Sequence, residues 1–534
     1  MKGLRILYIF PFEFPHGPKP YLFFHFCAEP FLRISNYLNS RKNELIGEIH
    51  EEYLDLRQEG LPFYCPKNID KYRTSLENLL SNIYKRFKFD IVAITCLSSP
   101  MYLNTIEVAN MVKHYINPSC YIIIGGFHAT VMPNDFFPEA IPPNFNNYYP
   151  KNPTPIDYIV IDEGELSFFH FVQNIFNESQ KSRESLREKP IILEKETLED
   201  LNDLPIINLD LFKKYRDNLN DTSTFYIQFN RGCPFKCRFC PSKGHVKSYK
   251  IPKYRSLESC IKELEVLANT EWITLKKVWI LDPIFFHSKN LRNKFFEKFG
   301  KIHHKIPYQV CVFDRIDTCS FEDLKNYKKY NITPFLGLET GSKTLLSHLL
   351  KTSKNKLDKF LNKTVEIIKE SNRLDLPIMI SYMLGVPGTD RQVIEETNSF
   401  FFEKKYKGKA LIEKYKINLT CWMFGYLCGN TFFEKGEEMF GTIFYLKEWW
   451  KKFDKYQSYY ANLIKPSKYL SFLESIEYIK DFYKRIYRSQ MKLGNIFYNM
   501  VRYYSEMKTI KTIQELFEKN FKNSSRSYNV ICNV

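Results

Sequence analysis

The chain has 534 residues and a formal charge of +17, with 44% hydrophobic and 26% charged residues. This composition excludes a disordered chain, and the length allows about three domains of roughly 150 residues, each with its own core. No run of about 18 uncharged apolar residues occurs, so no spanning helix is expected. The start, MKGLRILYIFPFEF, runs into a strand-like pattern and lacks the apolar stretch of a signal peptide. Thirteen cysteines, an odd number without a secretion signal, point to a reducing cytoplasm with some thiols free for metal. Residues 441–534 hold 17 Lys/Arg against 8 Asp/Glu, which suits either solvated helix faces or an acidic partner.

Residues 1–180 alternate apolar runs with amphipathic stretches. The runs are Leu4–Phe10, the surroundings of Tyr53–Leu56, Asp90–Cys96, Tyr121–Ile124 and Asp157–Ile161. Continuous runs such as IVAIT and YIIIGG read as strands buried on both faces. Asn104–Tyr115 reads as a helix with Ile106, Val108, Ala109, Val112 and Tyr115 inward. Five strands with intervening helices predict a doubly wound, Rossmann-like parallel α/β sheet. Residues 181–221, charged and proline-containing, read as a linker.

A second βα series spans 222–428, with strands predicted at Phe225–Phe229, Val278–Leu281, Gln309–Phe313, Thr333–Leu338, Pro377–Leu384 and Ile417–Met423. Six βα units in about 200 residues fit a partial (βα)6 barrel. Beyond Gly429 no strand is expected, and 429–534 reads as a helical carboxy-terminal domain. Trp449, Trp450 and Phe453 would share one helical face, and Leu473, Ile476, Ile479 and Phe482 another.

The strongest signal is Arg231-Gly-Cys-Pro-Phe-Lys-Cys-Arg-Phe-Cys-Pro241. Cys233, Cys237 and Cys240 stand at C-x3-C-x2-C spacing directly after a strand. Three thiolates on one short loop suit three corners of a [4Fe–4S] cube and leave one iron open. A zinc site would need a fourth ligand such as His245, and no second C-x2-C pair exists.

The motif, set after the first strand of a partial barrel, resembles the radical S-adenosylmethionine (SAM) superfamily. In that family SAM chelates the open iron and is cleaved to methionine and a 5′-deoxyadenosyl radical. The resemblance implies that Phe239 lies against adenine and that Asp282, after the second strand, accepts from the methionyl ammonium. Gly337-Leu-Glu-Thr-Gly-Ser342 is similar to the family's G-x-E-S-G block, which implies SAM contacts for Glu339 and Thr340. Leu384-Gly-Val-Pro-Gly-Thr-Asp390 is similar to G-x-P-G-E-T and brings in Gly385 and Pro387, although Asp390 follows Thr389 where the family has Glu before Thr. Arg315 and Asp317 match an R-x-D habit, or form a surface ion pair.

The first domain closely resembles the cobalamin-binding domain that precedes the barrel in one radical SAM subgroup. The resemblance implies cobalamin contacts from Ser98, Ser99, Gly125, Gly126, His128, Ala129, Glu163 and Gly164. The D-x-H-x-x-G signature of a cobalt-ligating histidine is absent, so His128 is expected to support a turn or the cofactor's tail. Together the domains imply a [4Fe–4S] cluster, SAM and cobalamin, and methyl transfer through methylcobalamin to an unactivated carbon of a peptide or natural product. Ring closure or rearrangement with the same equipment is the alternative. A tRNA methylthiotransferase would need three further clustered cysteines, whereas Cys27, Cys65, Cys96 and Cys120 are scattered. A non-catalytic iron–sulfur module would leave Asp282, Glu339 and Gly385–Gly388 without a role. The expected partners are a small-molecule or peptide substrate and a one-electron reductant of flavodoxin or ferredoxin type, with no nucleic acid. Cys421 and Cys428 read as buried apolar residues, and Tyr426 as a proton relay or a packing residue.

Overall fold

The computed structural model describes residues 3–13, 25–26, 29–142, 154–177, 188–218, 224–241 and 251–522. Cys27 and His245 lie outside the described residues. The chain forms two compact units: Met1–Tyr226 with Lys253–Lys276 and Trp450–Gln457, and Ile227–Pro252 with Lys277–Trp449 and Ser458–Val534.

In the first unit β1 (Leu4–Phe10), β2 (Ile49–Asp55), β3 (Ile91–Thr95), β4 (Tyr121–Gly125), β5 (Tyr158–Ile159) and β6 (Ile191–Ile192) form one parallel sheet in the order β2-β1-β3-β4-β5-β6. All five residues of β3 and the first four of β4 are buried, as their unbroken apolar runs require. The order reverses between β1 and β3, which makes this the topological switch point of the sheet. Helix Tyr102–Met111 is buried along its length. It continues as a π-turn, Val112–Ile116, whose wider winding shifts the apolar phase and leaves Tyr115 exposed rather than inward.

Helix Leu257–Asn269 belongs to this unit although its place in the sequence put it in the barrel. The cause is electrostatic. Arg33 donates to both oxygens of Glu263 (2.6 and 2.8 Å), and Arg255 donates to the same buried carboxylate. The two guanidinia outweigh burial and hold the Glu263 carboxyl below its ordinary pKa. Trp450 enters the unit the same way, its Nε1 donating to Asp135 Oδ2 (2.8 Å) beside Lys451 Nζ (2.9 Å from Oδ1). That capture leaves Trp449–Lys451 a single turn, too short to carry the shared helical face expected for Trp449, Trp450 and Phe453.

The other large sheet runs β7 (Thr224–Ile227), β8 (Lys277–Ile280), β9 (Gln309–Arg315), β10 (Ile332–Glu339), β11 (Met379–Leu384) and β12 (Asn418–Met423) in sequential order, and β8 to β12 belong to the second unit. Strands β8 to β12 pair in parallel, and Leu281 N donates to Ile227 O of β7 (2.7 Å). The six strands expected of the partial barrel are all present, and a two-residue strand that was not expected, His25–Phe26, pairs in parallel with β7 as a seventh. Helix Phe472–Lys492 covers the back of β11 and β12, with Phe482 stacked on Tyr382 at 5.1 Å. The edge strand is capped as well: Tyr498 Oη bridges Leu419 N and O, and Tyr483 Oη donates to Cys421 O. Ile476, Ile479 and Phe482 are buried as their spacing predicts. One short ribbon, Ile443–Phe444 against Ile464–Lys465, interrupts the helical region where no strand was expected. No helix among the described residues is long and apolar enough to cross a membrane.

Two measurements check these assignments. Glu263→Ala removes the carboxylate that two buried guanidinia share, leaving Arg33 with Glu29 and Arg255 with the Leu204 and Pro205 carbonyls, and should cost about 3 kcal/mol in denaturant unfolding. Behind β9, Arg292 serves both Asp314 and Asp323 at 2.9 Å, and burial, only partly offset by Arg292, pushes Asp314 up to about 6. A carboxyl raised above its unfolded value of about 3.9 stabilises fully below that pH and loses its contribution as pH rises through about 6. The Tm should therefore fall between pH 4 and 6 in the parent, with a flatter profile in Asp314→Asn.

Candidate functional site

The three cysteines sit on the loop that leaves β7, all half-buried. Cys240 N donates to Cys237 O (3.3 Å), closing the loop on itself. Burial raises the pKa of the Cys233 thiol, and the neighbouring Cys240 and Cys237 add to the shift. Among the described residues no three His, Cys, Asp or Glu side chains converge tightly enough for a single metal ion. A cubane spreads its thiolates over three irons, so the C-x3-C-x2-C spacing on one half-buried loop is what speaks for it.

The ends of the barrel strands hold this loop. Asp282, 1% exposed, accepts from Phe229 N (2.7 Å), Asn230 N (2.9 Å) and Asn230 Nδ2 (2.6 Å). Its carboxylate thus clamps the entry to the cysteine loop, a task the sequence reading did not assign to it. Arg315 is buried rather than part of a surface pair. Its guanidinium is held by Asp317 (2.9 and 3.0 Å), lies 3.8 Å from the Phe235 ring centroid and points Nη1 at Cys237 Sγ (3.4 Å). Burial opposes its charge, but Asp317 and the thiols raise its proton affinity, so a fixed cation stands against the cysteines.

Glu339 ends β10 at φ +73°, a left-handed conformation costly for any residue but glycine. Its Oε1 accepts from Lys351 Nζ and its Oε2 from Ser381 Oγ, both at 2.9 Å. Lys351, 4% exposed, also lies 5.7 Å from the Phe239 ring centroid, and its carbonyl accepts from Arg315. Sequence reading missed Lys351 and Ser381. Only the strand register, which pairs Gly337 with Ser381, and the turn after helix Lys343–His348 bring them here. A Cβ on Gly337 would meet Glu339 Oε1 at 2.5 Å and Lys351 Nζ at 2.8 Å, so glycine makes room for the pair.

The other predicted residues sit deeper. Thr340 is buried and receives Ser342 N. Gly385 (φ +69°) and Pro387 are buried, with Gly385 against Ile479 and Ser475 of the covering helix. Asp390 caps helix Arg391–Asn398 through Val393 N. Tyr426 is fully buried between Phe433 and Phe444, which makes it a packing residue; Cys421 and Cys428 are buried too.

In the first unit Ser98, Gly125, Gly126 and Gly164 are half-buried at the carboxyl ends of the strands, while Ser99, His128, Ala129 and Glu163 lie buried behind them. Ser98 Oγ donates to Glu13 at 2.8 Å. Gly126, at φ +107°, brings the chain so close to Cys96 that a Cβ would sit 2.8 Å from its carbonyl. His128 Nδ1 is 3.0 Å from Ser99 Oγ and Nε2 is 3.2 Å from Asp135 Oδ2. Burial holds the imidazole below its ordinary pKa, and both nitrogens are engaged. His128 is therefore packed behind the strand ends with Ser99 and Asp135 at its two nitrogens.

Residues 227–401 match the radical SAM superfamily. This stretch of the chain is a radical SAM domain. Two curated relatives align with it and beyond: an uncharacterized methyltransferase of Pyrococcus horikoshii, 25% identical over 60% of this chain and 66% of its own, and an anaerobic magnesium-protoporphyrin IX monomethyl ester cyclase of Synechocystis, 23% identical over 49% and 50%. The chain thus spans two thirds or less of their lengths. Among solved structures, the cobalamin-dependent SAM radical enzyme OxsB shares the fold over 97% of this chain and 72% of its own (TM-score 0.60, 14% identity). The radical SAM methyltransferase TsrM of Kitasatospora setae shares it over 83% and 77% (TM-score 0.53, 14% identity).

Gly337→Ala tests the packing of the site. The added methyl must displace the Glu339–Lys351 pair, and thermal unfolding should report about 1–3 kcal/mol of destabilisation. An unchanged Tm would show that the pair is free to move.

Proposed function

We propose that the protein is a radical SAM enzyme whose amino-terminal unit holds cobalamin and which closes a ring or rearranges bonds at an unactivated carbon. The observation that carries the radical part is the convergence of a buried cation, Arg315, on Cys237 of the three-cysteine loop, with the Glu339–Lys351 pair beside Phe239. Cys233, Cys237 and Cys240 would hold the [4Fe–4S] cluster, and Phe239, Arg315, Glu339 and Lys351 would hold SAM. When bound, these groups supply a carbon radical able to remove hydrogen from an unactivated carbon. The chain's own work is placement. Asp282 fixes the loop, Arg315 keeps positive charge against the thiolates, and Lys351 and Glu339 offer a donor and an acceptor in a site largely closed to water. Thr340, Gly385 and Pro387 shape the strand ends beneath them.

In the first unit Ser98, Gly125, Gly126 and Gly164 would line the cobalamin tail, with Ser99, His128, Ala129 and Glu163 as support. Ring closure or rearrangement draws support from the Synechocystis cyclase and from the breadth of the OxsB-like fold. Methyl transfer is the second reading, favoured by the Pyrococcus methyltransferase and by TsrM. The substrate would be a peptide or natural-product intermediate, and electrons would come from a flavodoxin- or ferredoxin-type donor.

Anaerobic reconstitution with iron, sulfide and cobalamin, followed by SAM, dithionite and candidate substrates, tests both parts. About four irons per chain and release of 5′-deoxyadenosine without S-adenosylhomocysteine are expected. Matched amounts of both products would instead establish methyl transfer. Cys237→Ala should lose cluster and cleavage together, and cleavage that persists in it contradicts the cluster assignment.

A further inference from the structure

Trp422 is an exposed tryptophan at the carboxyl end of β12, with 59% of its surface open. Its strand neighbours behave differently: Leu419 and Cys421 are buried, and Tyr483 reaches Cys421 O from the covering helix. Side chains alternate along a strand, so Trp422 and Thr420 point away from those helices. The register says which residues share that face. Ser381 pairs with Thr420, and Met383 with Trp422. Ser381 is the residue that donates to Glu339, so Trp422 and Met383 form the next layer outward on the face that carries the Glu339–Lys351 pair.

Deeper on this face Trp279, Phe313 and Phe335 pack against one another at 5.0 to 6.4 Å and fill the floor. The layer of Trp422 and Met383 carries no charge, in contrast to Arg315, Glu339 and Lys351 beneath it. The Trp422 indole makes no hydrogen bond or ring contact with any described residue. An uncovered indole beside a charged site is an apolar surface awaiting a ligand, and its flat π-face favours another flat ring over a saturated group of equal size.

We infer that Trp422, backed by Met383, is the substrate-positioning wall of this site and that it takes a flat, uncharged, unsaturated ring of the substrate. This rests on the radical SAM reading of the same strand ends. The test uses the reconstituted holoenzyme and equilibrium dialysis with indole as probe and cyclohexanol as competitor. Indole should bind the parent and Trp422→Phe within about threefold of each other, while Trp422→Ala should bind it about tenfold more weakly, the loss expected for one stacking contact. Cyclohexanol should displace indole poorly. Equal binding to parent and Trp422→Ala, no binding to the parent, or displacement by cyclohexanol as effective as by indole would each overturn the wall. Trp422 is exposed, so its substitution should leave folding intact. SAM cleavage by the parent, assayed alongside, separates the failures: an enzyme that cleaves SAM yet shows no Trp422-dependent binding refutes the wall alone, whereas failure to cleave refutes the reading beneath it.

Discussion

A short loop that must present three thiols in fixed positions cannot hold itself, and in this protein buried charge holds it. Asp282, almost without solvent, takes three hydrogen bonds from Phe229 and Asn230 just before the first cysteine. A carboxylate withdrawn from water is stable only if its oxygens are occupied, so the loop and the end of β8 fix each other. Arg315 does the same from β9, bound by Asp317, stacked on Phe235 and aimed at Cys237. The Lys351 carbonyl accepts from Arg315 while its ammonium holds Glu339, so the clamp passes from strand to strand.

This chain of contacts explains why the barrel tolerates local strain. Glu339 adopts a left-handed backbone conformation, and Gly337 gives up its side chain so that the Glu339 and Lys351 heads can meet. Each choice costs stability by itself, and together they collect a cation, an acceptor and an aromatic ring at adjacent strand ends. The first unit follows the same rule at its switch point: half-buried small residues stand in front, while His128, Ser99 and Asp135 form a closed polar network behind.

The six barrel strands, the five main strands of the first unit and the cysteine loop were legible in the sequence because each rests on local pattern: apolar runs, turn residues and thiol spacing. What was not legible depends on contacts between distant segments. Lys351 looks like one lysine among many until the fold buries it against Glu339, twelve residues earlier. Helix Leu257–Asn269 reads as a barrel helix until Arg33, more than two hundred residues away, claims Glu263. Trp450 reads as part of a helical stripe until Asp135 takes its indole nitrogen. Trp422 falls in a run that predicts a buried strand, and only the register shows that its face is open.

The central claim is that one iron of a three-cysteine cluster is left open for SAM. Electron paramagnetic resonance of the reduced, reconstituted protein addresses it directly. The claim predicts an S = 1/2 [4Fe–4S]+ signal whose g-values move when SAM is added, since a new ligand enters the cluster's coordination. A cluster signal that SAM leaves unchanged at saturating concentration would contradict it.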